Sequence, residues 1–342
     1  PKSGGGAGGF FAPPTTGTPA TQRWPQASSV PGEHAAAGAF DSALQLLNRQ
    51  VGVVNAAPLK ALFVSVAMGA QVFVSGTPGA PVVDSALHRN FAEHTWTPRG
   101  TSGLPCVSVT ATSLGERVKQ GYKFFSEGKL AEAQASFIAT LQMCLVCCVD
   151  SKPELDELRD IQGICREYIT ATMIEVTRRE KFKEDPVRNV ELAAYLTHCK
   201  MQPFHSLISL RSAMTASVKL KNFNTAASFA RRLLELNPKP EHKEQALKVL
   251  KVCDANKSNE QQIEYDERNP FVVCTYTYKP LYRGSPLARC GFCQAPYEPS
   301  CKGKVCQICK VAEIGFAGTG LQNSRQQRDR GASRKEESFD DY

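Results

Sequence analysis

The chain lacks any apolar run long enough to cross a membrane. Its most apolar stretch, Ala61 to Val74, is too short and is broken by Ser65, Gly69 and Gln71, so it reads as a buried helix. The N-terminus lacks the apolar core of a secretory signal and is rich in Gly, Pro and Thr instead. A phosphate-binding loop is missing, because the glycines of the first ten residues have neither a preceding strand nor a following Lys-Ser/Thr. There is no Gly-x-Ser-x-Gly elbow, and no grouping of His with acidic residues suggests a triad. These absences leave an enzyme reading little to stand on. Charge is not concentrated either. The net charge is +8, but the basic residues are spread along the 342-residue chain, which permits contact with nucleic acid or anionic lipid without requiring it. The chain opens at Pro1 rather than Met, as a piece of a longer protein would.

Cysteine, by contrast, is abundant. Of thirteen, five lie between Cys290 and Cys309, and Cys144, Cys147, Cys148, Cys165 and Cys199 fall in helical-looking apolar segments where a thiol acts as a small hydrophobe. With no secretory signal, this favours a reducing compartment over a disulfide framework. Two Cys-x-x-Cys pairs, Cys290/Cys293 and Cys306/Cys309, are separated by twelve residues. Each pair puts two sulfurs on one tight turn, and the spacer suffices for two short strands that bring the turns together. The spacing suits one structural Zn²⁺ held by four thiolates. A catalytic zinc would keep an open position and usually recruit His or carboxylate, and no His lies between residues 257 and 321. Reduced surface cysteines are the plain alternative, and Cys301 is a spare thiolate able to replace a ligand. His198, Cys199 and His205 look like a second cluster, but they flank the turn at Lys200–Pro203 and no fourth ligand is near, so structural roles are the better reading.

Residues 1–33 are low-complexity and read as a disordered linker, with Phe10, Phe11 and Trp24 as points a partner could grip. Residues 34–256 read as a helical solenoid. Three stretches share one pattern: Gly38 to Leu47, Gly128 to Phe137 and Lys221 to Ala230 each begin a helix with an aromatic or Leu, followed by a small residue three positions on. That pattern belongs to the second helix of a tetratricopeptide-like hairpin. Gly121 and Phe124 suit the first helix of such a hairpin. Pro153 opens a helix toward Arg179 with apolar positions Leu155, Leu158, Ile161, Ile164, Ile169 and Ile174. Further helices are expected over 186–199, 204–220 and 240–254, and residues 76–105 read as a loop-like insertion. Beyond Asn256, β-formers from Phe271 to Tyr278 and turn residues Pro280, Gly284 and Pro286 announce a small β/zinc module over 257–321. A polar tail, 322–342, should be disordered. The fold class is thus mainly α: an irregular α-solenoid with a C-terminal β module and a zinc site.

Several stretches together resemble one family. They are Ile164-Cys-Arg-Glu-Tyr-Ile169, Glu191 to His198 with Gln202-Pro203, Leu220 to Pro240, Asn269-Pro-Phe271, Tyr282-Arg-Gly284 and Glu313-Ile-Gly315; Ala43, Leu47, Val51 and Gly52 suit the opening helix. From about residue 36 to 321 the chain is similar to the C-terminal domain of the alpha subunit of coatomer, the COPI vesicle coat. The resemblance implies a domain that grips the coatomer epsilon subunit, itself a tetratricopeptide-type solenoid, beside other coatomer subunits. It also implies peripheral attachment to Golgi membranes and vesicles through the assembled coat, in transport from Golgi to endoplasmic reticulum. Zinc is not among these implications; it comes from the cysteine spacing. The segment 76–105 matches the family poorly, and Gly315 to Leu321 with the polar tail replaces its usual apolar chain end.

The leading expectation is a non-catalytic scaffold whose terminal module unfolds alone when Cys306 is lost. Its rival is a nucleic-acid-binding zinc ribbon using Lys302, Lys304, Lys310, Tyr297 and a tail bearing Arg325, Arg328, Arg330 and Arg334. A co-chaperone that binds acidic peptide tails is a second rival.

Overall fold

A computed structural model of the chain describes residues 28–74, 85–88, 107–256 and 258–324. Phe10, Phe11, Trp24, most of the 76–105 stretch and the tail arginines lie outside the described residues.

Ten helices carry the described fold: α1 (Pro31–Ala36), α2 (Phe40–Val51), α3 (Lys60–Gly69), α4 (Ala111–Ser126), α5 (Leu130–Met143), α6 (Lys152–Lys181), α7 (Pro186–Leu196), α8 (Pro203–Lys219), α9 (Phe223–Glu235) and α10 (Pro240–Ala255). Their starts follow from local chemistry. Thr110 with Ser113, and Ser151 with Glu154, form capping boxes that satisfy backbone N–H groups at the starts of α4 and α6. Asp185 accepts from the Arg188 N–H at the start of α7. Proline opens α6, α7, α8 and α10, where its missing N–H costs nothing. At the far end of α6, buried Glu175 accepts from both Arg178, itself largely buried, and Arg179, which stands mostly in solvent.

From α4 to α10 each helix packs on the next. Two of these pairs are tight hairpins that contain two of the three stretches sharing the pattern. Gly128 (φ 74°) turns α4 into α5, and Lys221 (φ 58°) helps turn α8 into α9. Gly121 lets α4 approach α5: a Cβ there would lie 2.7 Å from the ring of fully buried Phe137. In α6, Leu158, Ile161, Ile169 and Ile174 are buried as the periodicity requires, and Leu155 and Ile164 pack at the margin.

Strands are few and short. β1 (Gln71–Val74) pairs antiparallel with β2 (Ser85–His88), β3 (Phe271–Val273) with β4 (Pro280–Tyr282), and β5 (Ala288–Arg289) with β6 (Pro296–Tyr297). β1 corrects the reading of Ala61–Val74 as one buried helix. The helix stops at Gly69, and the β-formers Val72, Phe73 and Val74 follow as strand. Nor is α3 buried all round, since Val64 and Met68 are exposed. β2 likewise puts a strand into the stretch read as loop.

Both outer boundaries need correcting. The linker read as 1–33 runs into the fold: Val30 is buried, Pro31 opens α1, and Ser28 bonds the Glu33 carboxylate. The tail read as 322–342 starts inside the core, where the Asn323 amide donates to the carbonyls of Cys144 and Cys147 at 2.9 and 2.8 Å. Composition misjudged both ends because one apolar or amide side chain in a polar stretch is enough to anchor it.

The boundary at residue 256 is no seam in packing. One apolar cluster runs from Ala35 through α2, α3, α4, α5 and α6 as far as Met173, and continues through Cys290 to Ile314. A separate cluster joins α7, α8, α9 and α10, and a third links α6 and α7 to β3.

The Gly121 contact makes a paired prediction. Gly163, inside α6, has nothing within 4 Å of a Cβ placed there. Gly163→Ala should gain up to about 1 kcal/mol from helix propensity. Gly121→Ala should fall below it by about 1–3 kcal/mol through overpacking against Phe137. Urea unfolding of both variants checks this; equal midpoints would refute the close approach.

Candidate metal centre

The residues around each Cys-x-x-Cys pair fold alike. Cys290 and Cys306 each accept a backbone hydrogen bond from the residue four on, Gln294 N–H at 3.2 Å and Lys310 N–H at 3.0 Å. Gln294 (φ 57°) and Lys310 (φ 64°) both take the left-handed conformation that reverses the chain behind the second sulfur. Two like turns therefore aim four sulfurs at one point. The Sγ atoms of Cys290, Cys293, Cys306 and Cys309 all lie within 4.8 Å of one another, and all four residues are buried. Cys290 Sγ is 3.7 Å from Cys309 Sγ, and Cys293 Sγ is 3.5 Å from Cys306 Sγ. Sulfurs at about 2.3 Å from a central ion in a tetrahedron stand close to that far apart. The four predicted ligands come together, and the arrangement can hold a metal ion.

The turns meet differently from the two-strand spacer foreseen. β6 and a 3-10 turn at Pro299–Cys301 occupy the spacer. The segment after the second turn does the joining: Ile314 bridges Cys290, and Glu313 bridges Val305. Cys301 is buried but stands outside the four-sulfur group. Among the described residues no cysteine forms a disulfide.

Charge is managed inside the cluster. Burial pushes the Cys293 and Cys309 thiols well up. Burial also opposes charge on Cys306, but hydrogen bonds from the other three thiols and from Tyr297 outweigh it and hold Cys306 well below the usual thiol range. Tyr297 is fully buried, with its hydroxyl 3.1 Å from Cys306 Sγ. It is therefore not the exposed stacking residue that the nucleic-acid reading used. Lys304 lies over the Tyr276 ring at 5.3 Å, and the Lys302 stem crosses Gly315.

Residues far away in sequence secure this centre, and spacing could not reveal them. Val54 and Asn55 N–H groups donate to the Val311 carbonyl, and Glu313 N–H donates to the Gly52 carbonyl. The Asn55 and Gln142 amides donate to the carbonyls of Lys310 and Cys309 at 2.8 and 3.0 Å. Gly52 (φ 70°) ends α2, and a Cβ on it would strike the Phe316 ring at 2.4 Å.

The second cluster considered in the sequence does not converge. His205 bridges Ser126 Oγ (2.8 Å) and Tyr168 Oη (2.7 Å), tying α8 to α4 and α6. His198 meets Tyr265 Oη at 2.9 Å and packs on the Phe271 ring.

The family model for the C-terminus of the coatomer (COPI) alpha subunit matches residues 2–328. The chain belongs to this family. Coatomer subunit alpha of Dictyostelium discoideum is 41% identical over 321 residues, covering 92% of this chain and 25% of the relative. Coatomer subunit alpha-2 of Arabidopsis thaliana is 40% identical over 318 residues, 93% of this chain and 26% of the relative. Coatomer subunit alpha of Saccharomyces cerevisiae is 31% identical over 302 residues, 88% of this chain and 25% of the relative. The chain spans about a quarter of the length of these relatives. In this chain a mainly helical body with small strands carries the four-cysteine group as its chemically distinctive part. Among the described residues no helix is long and apolar enough to cross a membrane.

His198 gives a pH prediction. Burial, with Arg232 adding to it, lowers its pKa from 6.5 to about 4. The folded state thus keeps a neutral imidazole while the unfolded chain protonates. Its contribution is whole above about pH 6.5 and is lost as pH falls toward 4, by about 1.4 kcal/mol for each pH unit between. Urea unfolding of the native chain and of His198→Gln at pH 7, 5.5 and 4.5 tests this. The variant should lose stability less steeply by nearly that amount; parallel slopes would refute it.

Proposed function

We propose that this chain is a non-catalytic structural part of a COPI coat that binds the coatomer epsilon subunit and sits among other coatomer subunits. The observation that carries the reading is the family match along nearly the whole chain, 2–328, with relatives named coatomer subunit alpha. The surface supports it. α3 exposes Val64 and Met68, and α8 exposes Phe204 and Ile208, each pair one helical turn apart, as on faces covered by a neighbouring protein. In this reading the chain is cytoplasmic and reaches Golgi membranes and COPI vesicles peripherally, through the assembled coat. Its work is in Golgi-to-endoplasmic-reticulum and intra-Golgi transport. The successive packing of α4 to α10 supports the irregular solenoid as its scaffold.

The same proposal assigns a structural Zn²⁺ to Cys290, Cys293, Cys306 and Cys309. Four buried sulfurs, with no His or carboxylate in the group, fit a closed four-thiolate site. The ion would fix the two turns and, through Val311–Gly315, the end of α2.

Co-expression of residues 28–324 with the coatomer epsilon subunit tests the coat reading. A complex that co-elutes in size-exclusion chromatography at moderate and high salt is expected. Separate elution of two soluble proteins would refute the partner. For zinc, elemental analysis should find one ion per chain, lost in Cys306→Ser. Because the centre shares its core with α2 and α5, hydrogen exchange in that variant should rise at residues 50–55 as well as 311–323. Faster exchange confined to 257–321 would restore the separable module.

A further inference from the structure

We propose that Tyr297 is a positioning residue for the metal centre. Its hydroxyl donates to the Cys306 sulfur, strengthening the hold on the ion and shielding that sulfur from attack. The inference rests on the zinc reading above.

The hydroxyl lies between the Cys306 sulfur and the Thr275 side chain, and with a thiolate at Cys306 its proton goes to the sulfur, the charged acceptor. Gln307 N–H donates to Tyr297 Oη at 3.0 Å, which uses the oxygen as acceptor. Cys306 Sγ is 3.1 Å away, and a metal-bound thiolate has no proton of its own, so the O–H donates to it. The donor is also fixed in place. Tyr297 ends β6, opposite Ala288 in the hairpin that carries the first cysteine turn, while Cys306 begins the second. Its ring is fully buried and packs on Tyr276 at 5.7 Å. Tyr276 in turn donates its own hydroxyl to the Val305 carbonyl at 2.8 Å, away from the sulfurs. One hydroxyl therefore ties the first turn's hairpin to a sulfur of the second.

Four thiolates on one divalent ion leave a net charge of about −2 in an interior that water does not reach. A hydrogen bond to sulfur spreads that charge. It lowers the electron density available to an electrophile and keeps the lone pair aimed at the metal. The Phe292 N–H, 3.4 Å from Cys290 Sγ, does the same more weakly for the first turn. Donors beside metal ligands typically carry ten- to hundred-fold in affinity.

The test compares the native chain with Tyr297→Phe, which keeps the ring and removes only the donor, and with Tyr276→Phe, which removes a neighbouring hydroxyl that bonds backbone. Zinc content is measured first. Zinc release to a chromogenic chelator, alone and with N-ethylmaleimide, is measured next; in that reaction a cysteine sulfur adds to the alkene, its bond to zinc breaks and solvent protonates the adduct. Tyr297→Phe should lose zinc about ten- to hundred-fold more readily and react several-fold faster with the maleimide, with Tyr276→Phe near native. Cobalt loading supplies an independent signature: the sulfur-to-metal charge-transfer bands should move to lower energy in Tyr297→Phe alone. Zinc bound in all three with equal release and equal cobalt spectra would overturn the role of Tyr297 and leave the metal site standing. Equal acceleration in both variants would reduce the effect to packing and overturn it too. A native chain that takes up neither zinc nor cobalt would overturn both this inference and the reading beneath it.

Discussion

Four sulfurs brought within 4.8 Å of one another in a buried pocket set the terms for the first core. Two like turns, each closed by a left-handed residue, hold them there, and the strand-like segment from Val311 to Gly315 ties the turns together. That segment also pairs with the end of α2, where Gly52 leaves just enough room for Phe316. Whatever holds the sulfurs therefore also positions the first helices, although more than 230 residues separate them in sequence. The chain's early and late parts make one core together with α4, α5 and much of α6, and α7 to α10 make another.

The helices from α7 to α10 depend on different physics. Their core is small and apolar: Ala193, Ala213, Phe229, Leu233 and Ala246 pack at close range, and prolines and turn residues set where each helix starts and stops. His198, at the end of α7, and His205, joining α8 to α4 and α6, serve as hydrogen-bond partners, and burial lowers the pKa of both. A scaffold with two differently stabilised halves can keep its helical surface while its other end responds to what happens at the sulfurs.

Much of this was legible beforehand where the signal is local. Pro153 at the start of α6, the apolar period of that helix and the alanine pattern in α5 and α9 all sit within a few residues of what they specify. The four cysteines were legible because a tight turn requires two residues between ligands. The misreadings share one cause. Val30, Asn323 and the strand at Gln71–Val74 depend on partners distant in sequence, and composition averaged over a window hides a single anchoring side chain.

By itself, then, the sequence determined most of the helices from α4 to α10, the pairing of cysteines on two turns and the family. Those are matters of backbone preference, periodicity and side-chain type over short spans. Only the tertiary structure decided that the cysteine turns share a core with α2 and α5, that Cys301 stands apart, and that Tyr297 faces inward onto Cys306. Each of these depends on long-range approach, because a hydroxyl and a sulfur acquire a common role only when folding brings them within about 3 Å.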